Sequence, residues 1–217
     1  MADYRCTKYE KALVVDYSRK EQLRGLITSE HPNTKNHYSL IHNNDLKYKR
    51  LFARIYNDKC AYCGLPIDLV PLNLYEIDHY VPEKTNEGES LNDISNLVLS
   101  CKCCNIKKSG FSFNEKENQD ICFPDNNTIV EVFSRTDNYS ITINKPYKSN
   151  PDIVSFYRKM NFGSHIKRLD YLVMSMIGFR NSLLNYGKKE VVSVLELTIG
   201  ILIHKRNTIT GDALIID

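Results

Sequence analysis

Two Cys-x-x-Cys pairs, Cys60–Cys63 and Cys101–Cys104, constrain this 217-residue chain more than any other feature. Each pair makes a tight knuckle that sets two sulfurs about one metal diameter apart. Two knuckles complete a tetrahedral four-thiolate site, the closed geometry of structural zinc. The pairs are further apart than in a simple zinc ribbon, so the metal closes a long loop. Zinc of this kind contributes on the order of 10 kcal/mol to the folding of small domains. On a short helix after Cys101, Cys103 points away from the pocket, while Cys6 and Cys122 read as small hydrophobes. The chain has seven cysteines, an odd number, and Met1–Tyr9 is polar rather than a secretory h-region. Both argue against a disulfide framework and for a reducing, cytoplasmic compartment.

The closed loop holds Glu76-Ile-Asp-His-Tyr-Val-Pro82 and, further on, Asn96-Leu-Val-Leu-Ser-Cys-Lys-Cys-Cys-Asn105-Ile-Lys-Lys108. Leu74–Val81 and Leu97–Ser100 read as strands, joined by a polar loop, Pro82–Ser95, that contains Gly88. Lys102 to about Ser109 reads as a short helix stopped by Gly110. A carboxylate (Asp78) and an amide oxygen (Asn105) are donors for a second, hard cation, Mg²⁺ or Mn²⁺. An imidazole (His79) beside them can take a proton from water near neutral pH. Those are the parts needed to hydrolyse a phosphodiester.

Taken in order, Cys-x-x-Cys, Asp-His-x-x-Pro, Asn-Leu-Val and Cys-x-x-Cys-Asn-x-x-Lys resemble the HNH endonucleases, which have a ββα-metal fold. The resemblance covers about residues 56–110. It implies that His79 is the general base, that Asp78 and Asn105 hold the catalytic metal, and that Asn96 braces the loop carrying the base. It also implies a distorted hairpin that lets both Asp78 and His79 reach the metal, although the two alternate along a strand. Lys107 or Lys108 would touch a substrate phosphate. The implied products are a 5′-phosphate and a 3′-hydroxyl. DNA is the favoured substrate; RNA, for example a tRNA, uses the same chemistry, and a zinc-stabilised nucleic-acid-binding module without catalysis is the non-enzymatic alternative. The flanking segments look similar to nuclease subunits of bacterial restriction and anti-phage systems, such as the Septu-type nuclease that partners an ATPase.

An α+β chain in three parts is expected: 1–58, basic and partly helical; 59–110, the nuclease core; and 111–217, a hairpin followed by helices. Residues 1–50 carry ten Lys/Arg against six Asp/Glu, a local excess of four within an overall charge of +3. This suits a polyanionic partner without demanding one. Ser29–Asn36 reads as a loop. A helix capped by Asn43, Asn44 or Asp45 and running to about Asn57 places Tyr48, Leu51, Phe52, Ile55 and Tyr56 on one stripe. Lys47, Arg50 and Arg54 lie on its polar side, and Arg54 is a candidate phosphate contact. Ile129–Phe133 and Tyr139–Asn144 suggest a hairpin. Helices follow at Pro151–Met160, Ser164–Tyr186 and Lys188–Lys205, the last two an antiparallel pair with an apolar core that offers a docking face for a protein partner or a second copy. Val191–Ile203 is too short and polar to span a bilayer. His31, His37, His42, His165 and His204 have no motif context and read as ordinary histidines.

Overall fold

The hairpin enclosed by the cysteine pairs is short and regular. Strand β1 (Tyr75–His79) pairs antiparallel with β2 (Leu97–Cys101), from Tyr75 opposite Cys101 to His79 opposite Leu97. The computed structural model describes residues 2–10, 12–42, 46–82 and 89–213, and the side chains of all of these except 89, 90 and 210–213. The expected cap at Asn43–Asp45 and the loop glycine Gly88 lie outside the described residues. Every residue of β2 is buried, so both faces of that strand are covered, which explains its unbroken Leu-Val-Leu run.

Three helices precede the hairpin. They are α1 (Tyr17–Glu30), α2 (His37–His42) and α3 (Leu46–Ile55). Asp16 caps α1 by accepting from the Arg19 N–H at 3.1 Å. Helix α1 packs on α3, and α2 lies between α3 and β1. On α3 the expected stripe turns inward: Tyr48, Phe52, Ile55 and Tyr56 are buried, whereas Lys47, Arg50 and Arg54 are exposed. The basic excess of the N-terminal part is smaller at the surface than in the sequence. Arg5 is buried against Asp3 and the carbonyls of Ala61, Pro124 and Leu13. Lys20 is buried as well; its ammonium contacts Asp125 at 2.5 Å and the Leu97 carbonyl at 2.9 Å, which pins the start of β2.

After β2 come α4 (Lys102–Lys108), α5 (Lys116–Ile121), α6 (Ile129–Val132), strands β3 (Phe133–Arg135) and β4 (Ile141–Ile143), and helices α7 (Pro151–Lys159), α8 (His165–Asn185) and α9 (Lys189–Ala213). Helix α4 lies on both strands of the first hairpin, completing a ββα unit. The second hairpin is shorter than expected, because Ile129–Val132 forms a helical turn. That turn buries Ile129, Val132 and Phe133 together, whereas a strand would have carried Glu131 inward with Ile129 and Phe133. Helix α1 also extends to Glu30, into the segment expected to be a loop.

The core does not break at 58/59 or 110/111. Tyr4, Phe52, Tyr62, Leu99, Phe133, Phe156 and Phe162 belong to one buried cluster. Within it the Tyr4 and Phe133 rings are 5.7 Å apart, and those of Phe133 and Phe162 5.2 Å apart. Helices α8 and α9 pair, but their interface is not a plain apolar one. Arg206 of α9 bonds Asp170 of α8 at 2.6 Å in a buried ion pair, while Val191, Val194, Leu197 and Ile201 remain exposed. Among the described residues no helix is long and apolar enough to cross a membrane.

Gly64 ties the N-terminal segment to the first cysteine knuckle. Its φ is +77°, and a Cβ there would lie 1.8 Å from the Arg5 carbonyl oxygen. Gly64→Ala is expected to destabilise the fold by more than about 1 kcal/mol, read by chemical denaturation; an unchanged midpoint would show that the Arg5 backbone can yield.

Candidate active site and metal centre

Cys60, Cys63, Cys101 and Cys104 are buried free thiols whose sulfurs all lie within 4.8 Å of one another. The first knuckle is shaped by backbone bonds: Cys60 N–H donates to the Leu65 carbonyl at 2.8 Å, and Gly64 N–H to the Cys60 carbonyl at 2.9 Å. The Ala61 N–H reaches across to the Leu99 carbonyl at 2.8 Å, fastening the knuckle to β2. The second knuckle is the β2–α4 junction, with Cys101 as the helix N-cap residue and Cys104 in the first turn. Cys63 and Cys101 sulfurs are 3.8 Å apart. A tetrahedron with metal–sulfur bonds of about 2.3 Å has edges of about 3.8 Å, so the cluster fits a four-thiolate metal. Hydrogen bonds from Cys101, Cys104 and Cys60 hold the Cys63 thiol well below the usual range, while Cys101 and its other neighbours push Cys104 up. Four bare thiolates in one pocket repel, and a divalent cation removes that repulsion. Cys103 is exposed and Cys6 and Cys122 are buried elsewhere, as their sequence context suggests.

The hairpin presents Asp78 and His79 to different neighbours. Asp78 is buried and accepts from the Tyr62 hydroxyl at 2.5 Å. The Lys108 ammonium lies 3.2–3.3 Å from its two carboxylate oxygens and donates to the His79 carbonyl at 2.7 Å. Burial pushes the Asp78 carboxyl up, with Lys108 and Tyr62 opposing the shift. Burial likewise pushes the Lys108 amine down, and Asp78 opposes it. The expectation that Lys108 reaches outward to a phosphate is corrected here. It is 2% exposed, because its position on α4 aims it at the strand rather than at solvent. The expected distortion of the hairpin is corrected too, since the ladder stays regular to His79 and leaves Asp78 and His79 on opposite faces.

His79 is half-buried. Its Nε2 is 2.9 Å from Asn92 Oδ1, and its ring lies 4.3 Å from that of Tyr38 on α2. Read as Nε2–H donating to the amide oxygen, this bond places the imidazole lone pair on Nδ1. Tyr38 also stacks on His42, whose Nε2 is 3.1 Å from Glu76 Oε2 on β1. Asn96 ties both ends of the intervening loop: Oδ1 accepts from Val81 N–H at 2.9 Å, and Nδ2 donates to the Val81 and Leu91 carbonyls at 3.0 Å. Asn105 lies on α4 one turn before Lys108 and is half-buried; among the described residues its side chain makes no hydrogen bond to Asp78 or His79. Lys107 is exposed on the same helix. Arg54 is exposed on α3, in a groove with Arg19, Gln22 and Leu51 against α1, and is not brought to His79.

A carboxylate and an amide oxygen suit a hard divalent cation in kind. Such a cation meets the Lys108 ammonium, which already stands against Asp78. The motif spacing did not reveal Asn92, Tyr38, Tyr62 or the His42–Glu76 pair. Tyr62 is an unassigned x of Cys60-x-x-Cys63, and Asn92 and Tyr38 arrive from segments without a motif.

Residues 60–111 match the HNH endonuclease family. A protein of Bacillus subtilis (strain 168), "SPbeta prophage-derived putative HNH endonuclease YoqL", is 38% identical over 64 residues, which are 28% of this chain and 27% of that protein. The chain thus matches about a quarter of the length of this curated relative. No solved structure matches it.

Replacing Asn96 with Ala removes three side-chain hydrogen bonds and leaves two carbonyls and an N–H short of partners. A loss of about 1–3 kcal/mol is expected, measured by urea denaturation; a change below the error of that measurement would mean water replaces the amide without cost.

Proposed function

We propose that the chain is a metal-dependent endonuclease that hydrolyses phosphodiester bonds in DNA. The observation that carries this reading is His79, held by Asn92 and Tyr38 on the hairpin that matches the HNH family, one residue from a buried carboxylate. In the proposed step, the His79 imidazole takes a proton from a water molecule. The water oxygen forms a bond to phosphorus, the bond from phosphorus to the 3′ oxygen breaks, and that oxygen leaves with a proton from solvent. The products are a 5′-phosphate and a 3′-hydroxyl. Asp78, on release of its contact with Lys108, and Asn105 would hold a hard divalent cation, Mg²⁺ or Mn²⁺, which when bound supplies charge neutralisation at the phosphate. Asn92 and Asn96 position the base and its loop. Lys107 offers an exposed phosphate contact beside the site, and Arg54 a more distant one.

The four cysteines would hold zinc in a structural role, for the geometric reasons above. Free thiols throughout support a reducing compartment such as the cytoplasm. A role in restriction or anti-phage defence, and a partner ATPase or second copy on the C-terminal helices, belong to the same proposal. The exposed apolar residues of α9 support a docking role.

Purified protein incubated with supercoiled DNA, linear DNA and total RNA, with Mg²⁺ and with EDTA, tests the activity. Cleavage of DNA that EDTA abolishes is expected, and cleavage of RNA alone would move the proposal to the other polymer. His79→Ala should cut the rate by about 10²–10⁴-fold while leaving fold and thiol-bound metal unchanged; a rate near that of the parent would remove His79 from the chemistry. Cys60→Ser should instead lose the thiol-bound metal together with the fold of the hairpin, read by elemental analysis and circular dichroism, and full metal content in that variant would contradict the four-thiolate site.

A further inference from the structure

Lys167 lies in the first turn of α8, far in sequence from the cysteine knuckles, yet is only 4% exposed. Its Nζ is 3.0 Å from the Sγ of Cys104. An ammonium withdrawn from water costs several kcal/mol unless an anion faces it, so its surroundings identify its counter-charge. The carboxylate one turn on, Asp170, is engaged by Arg206 of α9 at 2.6 Å. Phe162 presents a ring face at 5.9 Å, and Arg135 of β3, itself a cation, donates to the Lys167 carbonyl at 3.3 Å. Asp170 attracts Lys167 from a distance, but the negative group in direct contact with the ammonium is the four-cysteine cluster. A neutral thiol is a weak acceptor for a buried ammonium, whereas a thiolate is a strong one.

We propose that Lys167 is an outer-sphere residue of the cysteine metal centre: its ammonium donates to the Cys104 thiolate, offsets part of the centre's negative charge, and joins α8 to the hairpin. This rests on the reading of the four cysteines as a thiolate-bound metal site. A divalent ion with four thiolates carries a net charge of 2−, which is costly to bury. One ammonium in contact halves that charge, and its hydrogen bond withdraws electron density from the Cys104 sulfur, which makes that sulfur less basic. The metal centre is in turn what keeps Lys167 charged and buried. The C-terminal helices are then fastened to the nuclease core through the metal as well as through the apolar cluster.

The test uses the full chain, with metal content from elemental analysis and metal transfer to the chromogenic chelator 4-(2-pyridylazo)resorcinol. The parent, Lys167→Met and Lys167→Arg should all purify with about one thiol-bound metal per chain. Lys167→Met should hold it about 10–100-fold more weakly, and Lys167→Arg, which keeps the charge, should stay near the parent. Equal retention by Lys167→Met overturns the assignment and leaves the four-thiolate reading standing. A parent chain without metal overturns both. Should Lys167→Met fail to fold, the parent alone decides. Amine labelling read by mass spectrometry should leave Lys167 protected in the loaded chain and modify it after chelation. Protection that persists after the metal is gone would show that packing alone buries Lys167, and would overturn the proposal.

Discussion

Convergence of four cysteine sulfurs is the constraint from which the rest of the structure follows. Cys60 and Cys63 end the N-terminal helical segment, while Cys101 and Cys104 close β2 and open α4. Holding these four atoms within 4.8 Å fixes where the hairpin starts and where its flanking helix points. The core built around them is continuous. Tyr4 donates to the Tyr62 carbonyl inside the first knuckle, Arg5 packs its backbone on Gly64, and Phe156 of α7 packs on Tyr62. The four-cysteine cluster is thus wrapped by the N-terminal segment and by α7, and contacts from outside the loop help to meet the cost of closing so long a loop.

With the hairpin fixed, the chemistry of the site becomes a matter of what each neighbour does to two adjacent residues. Asp78 faces inward to Tyr62 and Lys108, so its charge is balanced within the protein. His79 faces the other way, to Asn92 and Tyr38, in a half-buried setting. Lys108 joins the two by touching the carboxylate of one and the carbonyl of the other. Asn96 adds rigidity at the loop ends, where its amide takes the place of missing strand partners. The N-terminal helices are part of this arrangement, since α2 supplies the ring that packs on His79.

Much of this was legible in the sequence where local periodicity or fixed spacing carries the information. The buried stripe of α3, the two strands of the first hairpin and the long C-terminal helices follow from spacing, and the cysteine cluster follows from ligand chemistry. What was not legible depends on contacts between distant segments. Helix α1 is mostly polar, and the residue that anchors it, Lys20, is a lysine turned inward to Asp125, which no apolar pattern marks. Lys108 resembles a surface lysine until Asp78 is placed beside it. Ile129–Val132 has the composition of a strand, but burying residues three apart favours a helical turn. Asn92, Tyr38 and His42 reach the site from segments whose sequence carries no signature. The expected divisions near residues 58 and 110 follow composition, whereas aromatic packing crosses both.

The central claim is that sulfur-bound metal organises the hairpin that carries His79, and X-ray absorption spectroscopy at the metal edge of the purified protein tests it most directly. The account predicts a single shell of about four sulfur neighbours near 2.3 Å. A shell containing nitrogen or oxygen donors, or fewer than four sulfurs, would contradict it.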